Sequence, residues 1–109
     1  MKKNSESHGW IIGIRGMYAT AEIDISDGEK IMIGRSPKDA NLVISTGNIS
    51  RRHCLIQYDK INREYIVVDK STNGTYMADG TRLEKEKESR LPIGSKIFIA
   101  DVNNLFCLQ

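Results

Sequence analysis

The sequence predicts an all-β fold, a sandwich or barrel of short strands. Apolar and polar residues alternate at a period of two, as in the run Ala21 to Ile25, where the odd positions are apolar. No comparable pattern recurs at the helical period of about 3.6 residues. Turn-forming pairs such as Asp27-Gly28 and Asp79-Gly80 separate the runs at short intervals. Short strands joined by tight turns are typical of β-sandwiches and β-barrels.

Nine strands are expected from this pattern. They lie near residues 9–14, 19–25, 30–34, 41–44, 53–59, 64–69, 81–83, 96–100 and 105–108. The charged stretch from Leu83 to Glu88 has no apolar face, so we expect a solvated loop or a single helical turn there.

The length of 109 residues fits one domain with one core. We expect residues 1–8 to form a flexible N-terminal segment and residues 9–109 to form the domain. The last apolar run ends at Gln109, which indicates a domain of a longer parent protein. As an isolated domain it is expected to be a monomer.

Composition excludes several classes of partner and site. A net charge of +2 is too small for a groove that follows a nucleic-acid backbone. The apolar run 10–12 is too short for a signal-peptide core or a membrane span. Cys54 and Cys107 lie in apolar stretches, not at the spacing of metal ligands, so we expect no metal, no cofactor and a reducing, cytoplasmic environment.

Three polar segments follow or precede predicted strands and carry the candidate site. Arg35 comes directly after the strand that ends at Gly34, the run Ser50-Arg51-Arg52-His53 precedes the strand 53–59, and the run 71–75 (Ser-Thr-Asn-Gly-Thr) follows the strand 64–69. Loops at one end of a sandwich converge in space. We therefore expect Arg35, Ser50, Arg51, Thr72 and Asn73 to form one pocket.

Such a pocket suits a phosphomonoester. The dianion offers three acceptor oxygens, guanidinium groups supply charge-assisted hydrogen bonds, and the Ser50 hydroxyl adds a neutral donor. The Asn73 side chain can pair with the backbone of the peptide that carries the phosphate.

The three segments resemble the forkhead-associated (FHA) domain family. Its pattern is Gly-Arg, then Ser-x-x-His, then Asn-Gly, and the matches are Gly34-Arg35, Ser50-Arg51-Arg52-His53 and Asn73-Gly74. The resemblance extends from the segment 10–12 to the segment 91–97. FHA domains belong to the modules that read phosphorylated motifs with arginine clusters.

The resemblance implies a sandwich of two twisted, mostly antiparallel sheets with about eleven strands, whose loops at one end bind phosphothreonine peptides. It implies that Arg35, Ser50 and Arg51 meet the phosphate and that Thr72 and Asn73 hold the peptide backbone. Gly34, His53 and Gly74 then shape the loops. The implied partner is a Ser/Thr kinase or one of its phosphorylated substrates, in signalling.

Each of these residues also has a plainly structural interpretation. Arg35 is alternatively a solvated cation at a strand end, and Ser50 the cap of a turn. His53 is expected to be a core histidine bonded to backbone, and Arg52 a solvated charge on the rim. Asn73-Gly74 is also the commonest signal for a two-residue hairpin.

Two other functions compete with phosphothreonine binding. The same fold is compatible with a module that binds its partner independently of phosphate. Ser50 and His53 also suggest a hydrolase, but no orienting acid, oxyanion hole or nucleophile-elbow sequence accompanies them. The sequence therefore predicts a binding module and no enzyme.

Overall fold

A computed structural model of the protein describes residues 8–109. It is a sandwich of two five-stranded sheets, and the described residues contain no helix. Sheet A has the order β2-β1-β10-β9-β7 and sheet B the order β4-β3-β5-β6-β8. The strands are β1 (His8–Arg15), β2 (Glu22–Ser26), β3 (Lys30–Gly34), β4 (Leu42–Val43), β5 (Cys54–Asp59), β6 (Glu64–Asp69), β7 (Thr75–Met77), β8 (Glu88–Pro92), β9 (Ser95–Ile99) and β10 (Leu105–Leu108).

The core lies between the two sheets and follows the alternation read from the sequence. In β5 the buried positions are Cys54, Ile56 and Tyr58, and the residues between them are half-buried on the outer face. Sheet A contributes residues of the same kind to the other side of the core: Ile11, Ile25, Ile97, Ile99, Phe106 and Leu108. Burying these side chains from both sheets supplies the main stabilisation of the sandwich.

Pairing between strands is antiparallel except at β3 and β4, which run parallel. The carboxyl ends of β3 and β6 therefore lie at the same end of sheet B as the amino end of β5. We call this the apical end. It also carries the loop after β9, because Ala100 donates a backbone hydrogen bond of 2.9 Å to the carbonyl of Gly74.

Tyr65 joins the two ends of the described chain in the core. Its hydroxyl oxygen accepts a hydrogen bond from the backbone N–H of Trp10 at 2.9 Å, and the hydroxyl donates to the carbonyl of Gln109 at 2.9 Å. Burial raises the pKa of Tyr65 to about 12. A methyl group at Gly9 would lie 2.1 Å from this hydroxyl, which explains the glycine at that position.

Both cysteines are free and buried. Burial raises the pKa of Cys54 to about 12, which keeps the thiol protonated and a poor metal ligand. Among residues 8–109 no cluster of His, Cys, Asp or Glu side chains could hold a metal ion. The same residues include no helix that is long and apolar enough to span a membrane.

The all-β sandwich is confirmed: residues 8–109 form ten strands, where the pattern predicted nine and the family resemblance implied about eleven. The predicted strand 81–83 was wrong: Arg82 makes only an isolated bridge to Tyr76, and the strand is β7 before it. Strand β8 was missed because it buries only Leu91 among polar and charged neighbours. Most of the segment 1–8 predicted to be flexible lies outside the described residues, while β1 begins at His8.

Candidate functional site

Arg35 is the first residue after β3 and lies at the apical end. Its backbone N–H donates to the carbonyl of Ser50 at 2.9 Å, and its side-chain Nε donates to the carbonyl of Ile49 at 2.9 Å. The two terminal Nη atoms make no hydrogen bond to the described residues, and the residue is exposed. One edge of the guanidinium is therefore anchored, and the other edge is available for a ligand.

Gly34 allows the end of β3 to approach the loop that carries Arg51. A Cβ atom at Gly34 would lie 2.0 Å from the backbone carbonyl oxygen of Arg51, a distance that no side chain permits. The backbone N–H of Ser36 donates to that same oxygen at 3.5 Å. Gly34 thus lets the backbone at Arg35 lie close to the loop that carries Arg51.

Ser50 connects the second polar loop to the third. Its hydroxyl oxygen accepts a hydrogen bond of 3.1 Å from the backbone N–H of Thr72. An oxygen that accepts in this way still has its own proton to donate. The hydroxyl proton of the half-buried Ser50 is therefore not used in this bond and can be donated to a ligand.

His53 is fully buried and holds both loops through its imidazole ring. Its Nδ1 accepts a hydrogen bond from the backbone N–H of Ser50 at 3.1 Å, so the ring proton is on Nε2, which donates to the carbonyl of Gly74 at 2.8 Å. Burial lowers the pKa of His53, while the bond to Gly74 opposes this effect. The neutral imidazole is the form that fits both partners.

We expect the protein to lose stability as pH falls below about 6.5 because of His53. The folded state holds His53 neutral and the unfolded state protonates it near that pH, so acid favours unfolding. Urea unfolding at about pH 7.5 and about pH 5 measures the difference. Hydrogen bonds from Asn62 lower the pKa of Asp59 from its ordinary value of 3.8, and hydrogen bonds from Thr81 lower the pKa of Asp79 from the same value. Both carboxylates therefore titrate below this pH range. A constant unfolding free energy across it would contradict the role given to His53.

Asn73 and Gly74 form the third polar loop. The Asn73 side-chain Nδ2 donates to the carbonyl of Asn48 at 2.9 Å, and the Tyr76 hydroxyl donates to the carbonyl of Asn73 at 2.7 Å. Gly74 has φ of +100°, which favours glycine. The alternative interpretation of Asn73-Gly74 as a two-residue hairpin was wrong, because the flanking strands β6 and β7 lie in different sheets.

The third loop is built on a buried carboxylate that the sequence did not single out. Asp69 Oδ1 accepts hydrogen bonds from the Ser71 backbone at 3.2 Å, from the Ser71 hydroxyl at 2.6 Å and from the Thr75 hydroxyl at 3.0 Å. Arg82 lies 3.5 Å from Oδ2 and donates to the carbonyl of Thr72 at 3.3 Å. These contacts fix the backbone from which Thr72 and Asn73 project.

Asn48 is a second residue that sequence reasoning missed. Its side-chain Nδ2 donates to the carboxylate of Asp101, in the loop after β9. Its carbonyl accepts from Asn73, as described above. Asn48 therefore connects three apical loops, and no sequence signal marked it.

Arg35 and Arg51 line one polar cavity of about 440 Å³ at the apical end. Its other lining residues are Ser36, Pro37, Lys38 and Asp39. Three cations face one carboxylate there, so the cavity favours an anion. Lys38 is a cation that the sequence reasoning did not include. Arg52 is exposed and does not line this cavity. Ser50, Thr72 and Asn73 do not line it either, and they are connected to it through the hydrogen bonds between the loops.

A larger hollow of about 530 Å³ lies against β7 and β9. Its walls are mainly apolar and include Tyr76, Phe98 and Val102, and the only charged side chains that residues 8–109 contribute are Asp79 and Asp101. These residues offer a phosphate dianion no cation in this hollow. The polar cavity beside Arg35 is therefore the one that fits phosphate.

The sequence model of the FHA domain matches residues 31–100. No curated protein sequence matches the chain. Solved structures share the fold. The FHA domain of the CT664 protein of Chlamydia trachomatis has a TM-score of 0.79 at 24% identity, covering 94% of this chain and 96% of that one.

Two further structures of similar fold contain a peptide. The N-terminal FHA domain of Rad53p from S. cerevisiae, in complex with a phosphothreonine peptide, has a TM-score of 0.73 at 20% identity, covering 93% of this chain and 90% of that one. The MEK1 FHA domain, in complex with a phosphothreonine peptide of HOP1, has a TM-score of 0.76 at 22% identity, covering 93% and 94%. At these identities the likeness establishes the fold.

Proposed function

The chain belongs to the FHA domain family, and from that premise we propose that it is an interaction module that binds phosphothreonine peptides. The observation that carries the proposal is the convergence of three polar loops at the apical end. Ser50 bonds to the backbone of both Arg35 and Thr72, and Asn73 bonds to the loop before Ser50. Charge and donors are thus concentrated where a phosphate dianion needs them.

In the proposed complex the phosphate lies between Arg35 and Arg51. The free Nη atoms of Arg35 and the exposed guanidinium of Arg51 donate charge-assisted hydrogen bonds to its oxygens. The Ser50 hydroxyl donates a third, because its oxygen already accepts from Thr72. The network around His53 and Asp69 holds these donors before the ligand arrives, which reduces the entropy cost of binding.

Thr72 and Asn73 hold the backbone of the peptide on the other side of the phosphate. Both residues are exposed. The backbone of their loop is held by Arg82, which donates to the Thr72 carbonyl, and by the Ser71 hydroxyl, which accepts from the Gly74 N–H. The phosphothreonine peptides bound by the Rad53p and MEK1 domains support this use of the fold. The partner is then a Ser/Thr kinase or a protein that such a kinase has phosphorylated.

We expect binding without catalysis. The two nitrogens of the His53 ring are occupied by the Ser50 backbone N–H and the Gly74 carbonyl, and neither bonds to the Ser50 hydroxyl. A nucleophilic serine needs a base within hydrogen-bond reach of that hydroxyl. The pair therefore positions a ligand donor and does not activate a nucleophile. The buried free cysteines fit a reducing compartment, and we propose the cytoplasm.

Isothermal titration with a phosphothreonine peptide and its unphosphorylated twin tests the proposal. The phosphopeptide should bind and the twin should not, because only the dianion satisfies the guanidinium groups. Affinity should also fall as pH drops below about 6, where the phosphate gains a proton. Equal affinity for the two peptides would favour the module that binds independently of phosphate.

A further inference from the structure

The loop that bears Asn73 contains an asparagine followed directly by glycine. Asparagine is among the chemically labile residues of proteins, and a following glycine leaves its neighbouring backbone nitrogen unshielded. Among the 109 residues Asn73-Gly74 is the only Asn-Gly pair. We propose that Asn73 is a site of spontaneous deamidation, and that the hydrogen bonds of the folded loop slow this reaction.

The geometry of the loop requires glycine after Asn73. Gly74 has φ of +100°, and a Cβ atom there would lie 2.7 Å from the Tyr76 hydroxyl and 2.9 Å from Arg82 Nε. Another residue at position 74 would therefore combine backbone strain with close contacts. The contacts of the fold can protect the Asn73-Gly74 pair, but substitution of Gly74 by another residue would destabilise the loop.

The reaction needs no catalyst and no oxidant. The deprotonated backbone nitrogen of Gly74 attacks Cγ of Asn73, a bond forms between them, and the side-chain nitrogen leaves as ammonia. Water then opens the cyclic imide at either carbonyl. The product is aspartate or isoaspartate. In composition each has OH in place of the NH₂ of asparagine, and in isoaspartate the backbone also runs through Cβ and Cγ.

Both reacting nitrogens are held by hydrogen bonds in the folded chain. The Gly74 N–H donates to the Ser71 hydroxyl at 2.7 Å, and that hydroxyl donates in turn to Asp69 at 2.6 Å. Deprotonating Gly74 would break the first bond and place a negative charge that only the Ser71 hydroxyl separates from the Asp69 carboxylate. The leaving nitrogen of Asn73 is itself held by the carbonyl of Asn48.

A third bond holds the backbone between the reacting atoms. The Tyr76 hydroxyl donates to the Asn73 carbonyl at 2.7 Å, so the peptide group cannot rotate freely toward the side chain. Each such bond shifts the equilibrium between the closed loop and an open, reactive loop about fivefold toward the closed form. Two or three of them together slow the reaction by roughly 30-fold or more relative to the unfolded chain.

Deamidation would inactivate the binding site, an effect that rests on the proposed function. The product loses the donor that Asn73 directs at Asn48 and gains a carboxylate next to the bound phosphate. Isoaspartate also lengthens the backbone before Gly74. The Gly74 carbonyl, which accepts from His53 and from the Ala100 N–H at 2.9 Å, would then shift.

To test the proposal, the full chain is incubated at mildly alkaline pH and then digested. Mass spectrometry of the peptide that contains Asn73 measures the deamidated fraction. Folded protein should deamidate roughly 30-fold more slowly than the same protein in urea. Ser71→Ala should accelerate the folded-state reaction about fivefold, by freeing the Gly74 N–H. Tyr76→Phe, which removes only a hydroxyl, is the second variant if Ser71→Ala does not fold, and it should accelerate the reaction in the same direction.

Equal rates in folded and unfolded protein, or no reaction in either, would overturn the proposal. Titration of aged and fresh protein with a phosphothreonine peptide measures the effect on binding, and aged protein that binds as tightly as fresh protein would overturn the inactivation. Failure of the fresh protein to bind would count against the proposed function. The deamidation rates are read from mass alone, so the two failures are distinguishable.

Discussion

Replacing Arg35 with alanine should weaken binding of a phosphothreonine peptide by about 2–5 kcal/mol, the usual loss when one member of a desolvated charge pair is removed. In dissociation constants this is roughly 30-fold to several thousand-fold. The fold should survive, because Arg35 is exposed and its side chain makes one internal hydrogen bond, from Nε to Ile49. Isothermal titration gives the affinity and urea unfolding gives the stability.

Arg52→Ala is the matched control for this experiment. Arg52 is also an exposed arginine, only one residue away from Arg51, but it does not line the polar cavity. Its loss should change the affinity by less than about threefold, as for a charge on the rim of an interface. Equal losses for the two variants would mean that general positive charge attracts the peptide and that Arg35 has no specific role.

Asp69→Ala should lower the free energy of unfolding by about 3–5 kcal/mol. The substitution removes the acceptor for the Ser71 backbone, the Ser71 hydroxyl and the Thr75 hydroxyl, all within the core. It also leaves Arg82 without its carboxylate partner. Urea unfolding measures the effect, and a domain of this size should melt roughly 10–30 °C lower.

Asp24→Ala provides the comparison for Asp69→Ala. Asp24 is exposed on β2, and its replacement should change stability by no more than about 0.5 kcal/mol. If Asp69→Ala were equally mild, the hydrogen bonds to Asp69 would not be what holds the third loop. The affinity of any folded Asp69→Ala protein should also fall, because Thr72 and Asn73 project from that loop.

The strands that the sequence predicted well have either a continuous run of buried residues, as in β3 and β10, or a buried residue at every second position, as in β5 and β6. In β5 and β6 this pattern is unbroken, and both were placed within one residue. Strand β8 buries Leu91 alone, and β7 has three residues directly after the Asn73-Gly74 turn. Strand β8 forms by pairing with β6, and β7 forms by pairing with β9, so a local sequence pattern does not reveal either strand.

The residues proposed to contact the ligand were found because they occur in short motifs. Gly34, His53 and Gly74, which shape the loops, were found in the same motifs. Asn48, Arg82 and Asp101 were not found, because their contacts join loops far apart in the sequence. Asp101 accepts a hydrogen bond from Asn48, which lies 53 positions earlier in the sequence. Arg82 follows β7 and contacts Asp69, which precedes it. Lys38 lines the polar cavity because of the course of the loop between β3 and β4. Such contacts follow from loop shape, which no local pattern encodes.

A nuclear magnetic resonance titration of the amide signals can test the claim that three apical loops form one phosphate site. On addition of a phosphothreonine peptide, the largest shifts should appear at Arg35, Ser50, Arg51, Thr72 and Asn73, and the unphosphorylated peptide should leave them unchanged. Shifts concentrated around the apolar hollow at Tyr76, Phe98 and Val102, or the same shifts with both peptides, would contradict the claim.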